Sequence, residues 1–176
     1  MNATIVSDRP LDRVADFPAI PHGWAYLDTA ATAQKPTPVV DAIDRAYSRT
    51  YATVHRGVYQ RSADMTLAYE AARRRVAQFI GAGSDKEIVF VRGATEAINL
   101  VAQSWGLTHL KPGDRILLSR LEHHSNIVPW QLIRDRTGIA IDVCPLTGDG
   151  RIDLDAAEAM LTPTHKLVAL AHVSNV

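Results

Sequence analysis

Apolar residues along this chain fall into two kinds of grouping that take turns. One kind recurs at helical spacing, and the other is a short unbroken apolar run. Between residues 62 and 80, Met65, Ala68, Tyr69, Ala72, Val76, Phe79 and Ile80 share one stripe, which predicts a helix that Gly81 and Gly83 end. Val39, Ile43, Ala46 and Tyr47 predict an earlier helix, with Thr37 as its cap and Pro38 in its first turn. A short strand is expected at 25–27 and another at 88–91. A helix follows over 95–105, with Ile98, Val101, Ala102 and Trp105 on one face. After a turn at 111–114 come a strand (115–119), a helix (127–136), a strand (139–143), a helix (154–161) and a strand (167–173).

Strand and helix alternate, and the strands are almost wholly apolar. That pattern belongs to α/β proteins whose mostly parallel sheet is flanked by helices on both faces. Residues 1–24, with Pro10, Pro18 and Pro21, read as an N-terminal arm, and 25–176 read as one domain. A length of 176 residues suits a single core. Nineteen basic residues balance nineteen acidic ones, so nothing in the charge points to nucleic acid or an anionic membrane. One cysteine, Cys144, excludes an internal disulfide and fits a reducing compartment. No apolar run reaches membrane-spanning length and the first residues lack a signal-peptide pattern, so a cytoplasmic protein is expected.

Four polar segments interrupt the pattern where α/β proteins place their sites. In Val91-Arg92-Gly93-Ala94-Thr95-Glu96, a predicted strand turns through glycine into a helix. Gly93 permits close approach, and the helix start offers free N–H groups to a phosphate. Thr95 could donate to that phosphate or could serve in a plain capping box. Glu122-His123-His124-Ser125-Asn126 follows the next strand. No partner at zinc-like spacing supports a metal there. A flat imidazole could stack on a planar ring, and the alternative is helix capping by Ser125 or Asn126. Ala171-His172-Val173-Ser174-Asn175 ends the last strand, and Asn175 could bond a ligand or merely turn the chain. His55-Arg56-Gly57 lies between two helices, where an arginine could grip a carboxylate or phosphate or simply occupy a surface turn. Cys144 is expected to be an inert, partly buried thiol. Lys166, in Thr164-His165-Lys166, is expected to be a strand-edge charge. Arg73-Arg74-Arg75 is expected to be a solvated helix face.

Taken together, these motifs and Tyr26-Leu-Asp-Thr-Ala-Ala-Thr-Ala-Gln-Lys-Pro36 resemble the class V aminotransferase group, and within it the SufS-type cysteine desulfurases, from about residue 20 onward. The resemblance implies the N-terminal part of the large domain of a fold-type-I enzyme that uses pyridoxal 5'-phosphate. It implies that Thr95 and the Gly93-Ala94 backbone hold the phosphate. His123 would stack on the pyridine ring and transfer a proton, and Asn175 would sit near the ring hydroxyl and the substrate. The His55-Arg56 loop would reach the active site or the interface of a homodimer. The implied reaction takes sulfur from L-cysteine, leaving L-alanine and a persulfide for a sulfur-acceptor protein of iron–sulfur cluster assembly. A lyase acting on L-selenocysteine, another class V enzyme and a truncated non-catalytic binding module are the alternatives. In that family the Schiff-base lysine, the persulfide cysteine and the partners of the ring nitrogen lie beyond the stretch matched here. Neither Lys166 nor Cys144 occupies those positions. The expectation is therefore a fragment that is inactive alone and marginally folded.

Overall fold

The structure, a computed structural model, describes residues 13–174 and divides into two compact units, Met1–Ile88 and Val89–Val176. In the first unit, helix α1 (Thr37–Arg45) continues into one wider π turn, Ala46–Thr50. Pro36 rather than Thr37 precedes the first helical residue, and the Thr37 hydroxyl instead bonds the Asp16 carbonyl at 3.2 Å. Helix α2 (Gln60–Ile80) ends as its glycine predicts. Gly81 takes the left-handed conformation with φ 72°, its N–H meets the Gln78 carbonyl, and the Ala82 N–H reaches back to Ala77. Two orphan carbonyls are satisfied this way. Phe79 and Ile80, expected on the buried stripe, are instead exposed, and Ser62 and Ala77 are the buried residues of α2.

The second unit carries the α/β pattern. Helix α3 (Ala94–Val101) runs on through a π turn, Ala102–Gly106, to Leu107–His109. Strand β1 (Arg115–Ser119), helix α4 (Val128–Thr137), strand β2 (Ala140–Cys144), helix α5 (Leu154–Met160) and strand β3 (His165–Val168) follow. The sheet order is β2-β1-β3, with both pairings parallel. Side chains alternate across a strand, so β1 feeds two cores. Ile116 and Leu118 join Ala102, Leu110, Trp130, Ile133 and Ile139 on one face. Leu117 joins Cys144 and Ala157 on the other. Each fully buried aliphatic side chain contributes about 1.5–3 kcal/mol.

The segments at 25–27 and 88–91 form no strand. An apolar run becomes a strand only when its backbone finds a ladder partner. Here the Tyr26 hydroxyl donates to the Thr32 carbonyl at 2.6 Å and lies 3.2 Å from that of Asp28, and the Ile88 carbonyl accepts from the Arg73 guanidinium. Arg73 thus departs from the expected solvated face: it also pairs with Glu70 at 3.2 Å and lies over the Tyr69 ring. Arg74 and Arg75 are exposed as expected.

Candidate functional site

β1 and β3 are parallel neighbours, so their carboxyl ends lie side by side. The loops that leave them carry His123 and Ala171–Ser174. Helix α3 packs against the His124–Asn126 turn. Asn175 lies outside the described residues.

At the start of α3, Gly93 precedes the helix, its backbone is extended, and a Cβ placed there would meet open space. The turn therefore does not require glycine for its own geometry, contrary to expectation. A missing side chain at 93 matters only to something that approaches from outside. The first intrahelical bond is from the Ala97 N–H to the Gly93 carbonyl, so the N–H groups of Ala94, Thr95 and Glu96 have no partner within the helix. Thr95 is exposed and its hydroxyl makes no hydrogen bond among the described residues. The plain capping box does not form. Glu96 instead accepts from the Arg92 N–H at 2.7 Å and from Arg92 Nε at 3.1 Å, and these bonds hold its carboxyl below the usual range. Free N–H groups, a free hydroxyl and the positive end of a helix together make an anion cradle that suits a phosphate.

His123 caps the His124–Asn126 turn, and neither Ser125 nor Asn126 caps α4 as expected, since Ile127 precedes that helix without a side-chain cap bond. Its Nδ1 accepts the Ser125 N–H at 3.1 Å and lies 2.9 Å from the Ser125 hydroxyl. A backbone N–H can only donate, so the neutral ring carries its proton on Nε2. The ring is exposed, with the His124 ring edge-on at 5.9 Å. An oriented imidazole whose Nε2–H has no partner among the described residues could stack on a flat ring and hold or pass a proton at that nitrogen.

Beneath His123 lies a buried polar group that the motif reading left without a role. The Glu122 carboxylate accepts from the Ser119 hydroxyl at 2.5 Å, from Asn126 Nδ2 at 2.7 Å and from the Ala171 N–H at 2.8 Å. The sequence signal for it was an acidic residue three positions past an apolar strand and four positions before an asparagine.

The His55-Arg56-Gly57 loop belongs to the first unit. His55 has φ 66°, its N–H bonds the Thr66 hydroxyl, and its ring pairs with Glu70 at 3.1 Å. The Gly57 N–H meets the buried Ser62 hydroxyl at 3.1 Å, and a Cβ at 57 would overlap the Ser62 side chain. Arg56 is exposed and makes no hydrogen bond or ion pair among the described residues, so a pinned loop presents a free guanidinium.

Of the decoys, Cys144 is fully buried, donates to the Asp153 carbonyl, and has its thiol pKa pushed up by burial. Lys166 is exposed and bonds the Pro163 carbonyl. At the opposite end of the sheet, Asp142 accepts from Arg115 and from His165 Nε2 at 2.9 Å, tying all three strands together. The Arg115 guanidinium holds the Asp142 carboxyl below the usual carboxylate range. No cluster among the described residues could hold a metal ion, and no helix there is long and apolar enough to cross a membrane.

A parallel α/β unit with free helix N–H groups and an oriented imidazole near its strand ends has groups that could hold a phosphorylated planar ligand at a sheet edge. The family model for class-V aminotransferases matches residues 25–176, and the chain belongs to that family. A cysteine desulfurase of Dickeya dadantii is 49% identical over 97% of this chain and 43% of its own length. The cysteine desulfurase CsdA of Escherichia coli superposes with a TM-score of 0.79 at 43% identity, covering 92% of this chain and 41% of that one. A solved structure of C-DES K223A, with glycine covalently linked to the pyridoxal-phosphate cofactor, has a TM-score of 0.73 at 25% identity over 93% of this chain and 41% of that one. The chain therefore spans less than half the length of these relatives.

Proposed function

We propose that this chain supplies the phosphate-binding and ring-stacking part of a pyridoxal-phosphate-dependent cysteine desulfurase. The observation that carries the reading is the set of free N–H groups at the start of α3, together with an oriented His123 imidazole on the turn against which α3 packs. The residues fit the group: three backbone N–H groups and one hydroxyl await an anion, and no Cβ blocks the approach at Gly93. Gly93, Ala94 and Thr95 hold the phosphate. His123 lies against the pyridine ring and holds or moves a proton at Nε2. Asn175 bonds near the ring hydroxyl and the substrate. The pinned loop offers Arg56, with His55, to the substrate carboxylate or to a second protomer. Pyridoxal phosphate supplies the electron sink for reaction at the substrate amino acid. The whole protein is then a homodimer that converts L-cysteine to L-alanine and passes sulfur to an acceptor of iron–sulfur cluster assembly. Its unpaired, buried cysteine fits a cytoplasmic setting.

The test is alanine formation by the protein at its full natural length. With L-cysteine, alanine is expected to appear in step with released sulfur. Bound cofactor without alanine formation would overturn the reading. Much faster turnover of L-selenocysteine would reassign it to a lyase.

A further inference from the structure

Among the described residues the Glu122 carboxylate is bonded only by donors, and the direction of each bond can be assigned. Ser119 Oγ accepts the Leu121 N–H at 3.2 Å, so its proton goes to Glu122. Trp130 Nε1 donates to Asn126 Oδ1 at 2.9 Å, and an indole N–H cannot accept. The Asn126 amide is thereby fixed with Nδ2 toward Glu122 Oε2, its second hydrogen reaching the Ala169 carbonyl at 3.3 Å. The Ala171 N–H completes the set at Oε1. Glu122 is buried, and every bond it makes requires an acceptor.

These bonds join two separate loops. The Glu122–Asn126 contact closes the chain around His123, His124 and Ser125. The Ala171 bond ties that loop to the end of β3, and a second tie runs from the Ser174 hydroxyl to the Leu121 carbonyl at 3.1 Å. We infer that Glu122 is a positioning residue: its carboxylate clasps the His123 loop to the Ala171–Ser174 segment and so sets the imidazole plane relative to the anion cradle. The inference rests on the proposed role of His123 and adds the residue through which that role depends on β3.

Glu122→Gln is the discriminating variant because it nearly preserves shape. An amide has one acceptor oxygen, and whichever way it is turned, its NH2 faces either Asn126 Nδ2 or the Ala171 N–H, donor against donor. The variant is made in the protein at its full natural length. Hydrogen exchange at residues 169–174 is read without cofactor, and affinity and visible circular dichroism are read with pyridoxal phosphate. Faster exchange of that segment, cofactor bound roughly ten- to a hundredfold more weakly, and a visible signal shifted toward that of His123→Ala are expected. Ser119→Ala keeps the charge and removes one donor, so it gives the same changes at smaller size and decides the matter if Glu122→Gln does not fold. Wild-type affinity and dichroism in both folded variants, while His123→Ala alters both quantities, would overturn the clasp alone. A His123→Ala protein indistinguishable from wild type would overturn the role of His123, and the clasp with it.

Discussion

Thr95→Val separates a ligand role from a structural one. The Thr95 hydroxyl makes no protein hydrogen bond among the described residues, and the side chain is exposed. Valine has nearly the same shape and helix propensity, so the fold loses almost nothing. A hydrogen bond to a charged group is worth about 1.5–3 kcal/mol, which converts to roughly ten- to 150-fold in affinity. The expected result is cofactor binding weaker by that factor with an unchanged melting temperature. The assay is titration of the cofactor-free protein with pyridoxal 5'-phosphate followed by absorbance, beside a thermal melt without cofactor. Gly93→Ala is the companion, because a Cβ at 93 meets nothing in the protein and its backbone angles suit any residue. Its melting temperature is also expected to match wild type, so a fall in affinity reports a ligand that comes close to the backbone. Wild-type affinity in Thr95→Val, or an affinity loss matched by a large fall in melting temperature, would refute the cradle.

Three further outcomes are expected. Ile133→Ala, in the fully buried core of the second unit, should cost about 2–5 kcal/mol and Ile133→Val about 0.5–1.5, read by urea denaturation; equal costs would contradict tight packing there. Asp142 has a depressed pKa, so its contribution is full above the ordinary carboxylate pKa of about 4 and is lost as pH falls through the lower folded value. Stability should fall less steeply below pH 4 in Asp142→Asn than in wild type, and parallel acid titrations would argue against the strand clamp. Cys144 should resist a thiol reagent at neutral pH until the protein unfolds; stoichiometric labelling of the native state would contradict its burial.

The elements read best from sequence are those with a partner in the same unit. β1, α4, β2 and α5 were legible because apolar runs and stripes there alternate with turns such as 111–114, and each run finds a neighbour. The runs at 25–27 and 88–91 carried the same local signal without a ladder, and local pattern does not report pairing. The α3 start was legible as a helix beginning just after Gly93, although the turn itself makes no demand for glycine. Glu122 was visible only as part of a polar string, since its partner Ala171 is close in space and 49 residues away in sequence. The Asp142–His165 contact was hidden for the same reason.

The sheet order also sets an order of events during synthesis. β1 leaves the ribosome first and becomes the centre, β2 adds on one side, and β3 adds last on the other. Until β3 arrives, the Glu122 carboxylate lacks the Ala171 N–H that lies 49 residues downstream. The bond from the Ala171 N–H to Glu122 therefore requires the third strand to have docked. The order of the His123 loop is thus set by a strand that arrives long after the loop itself has been made.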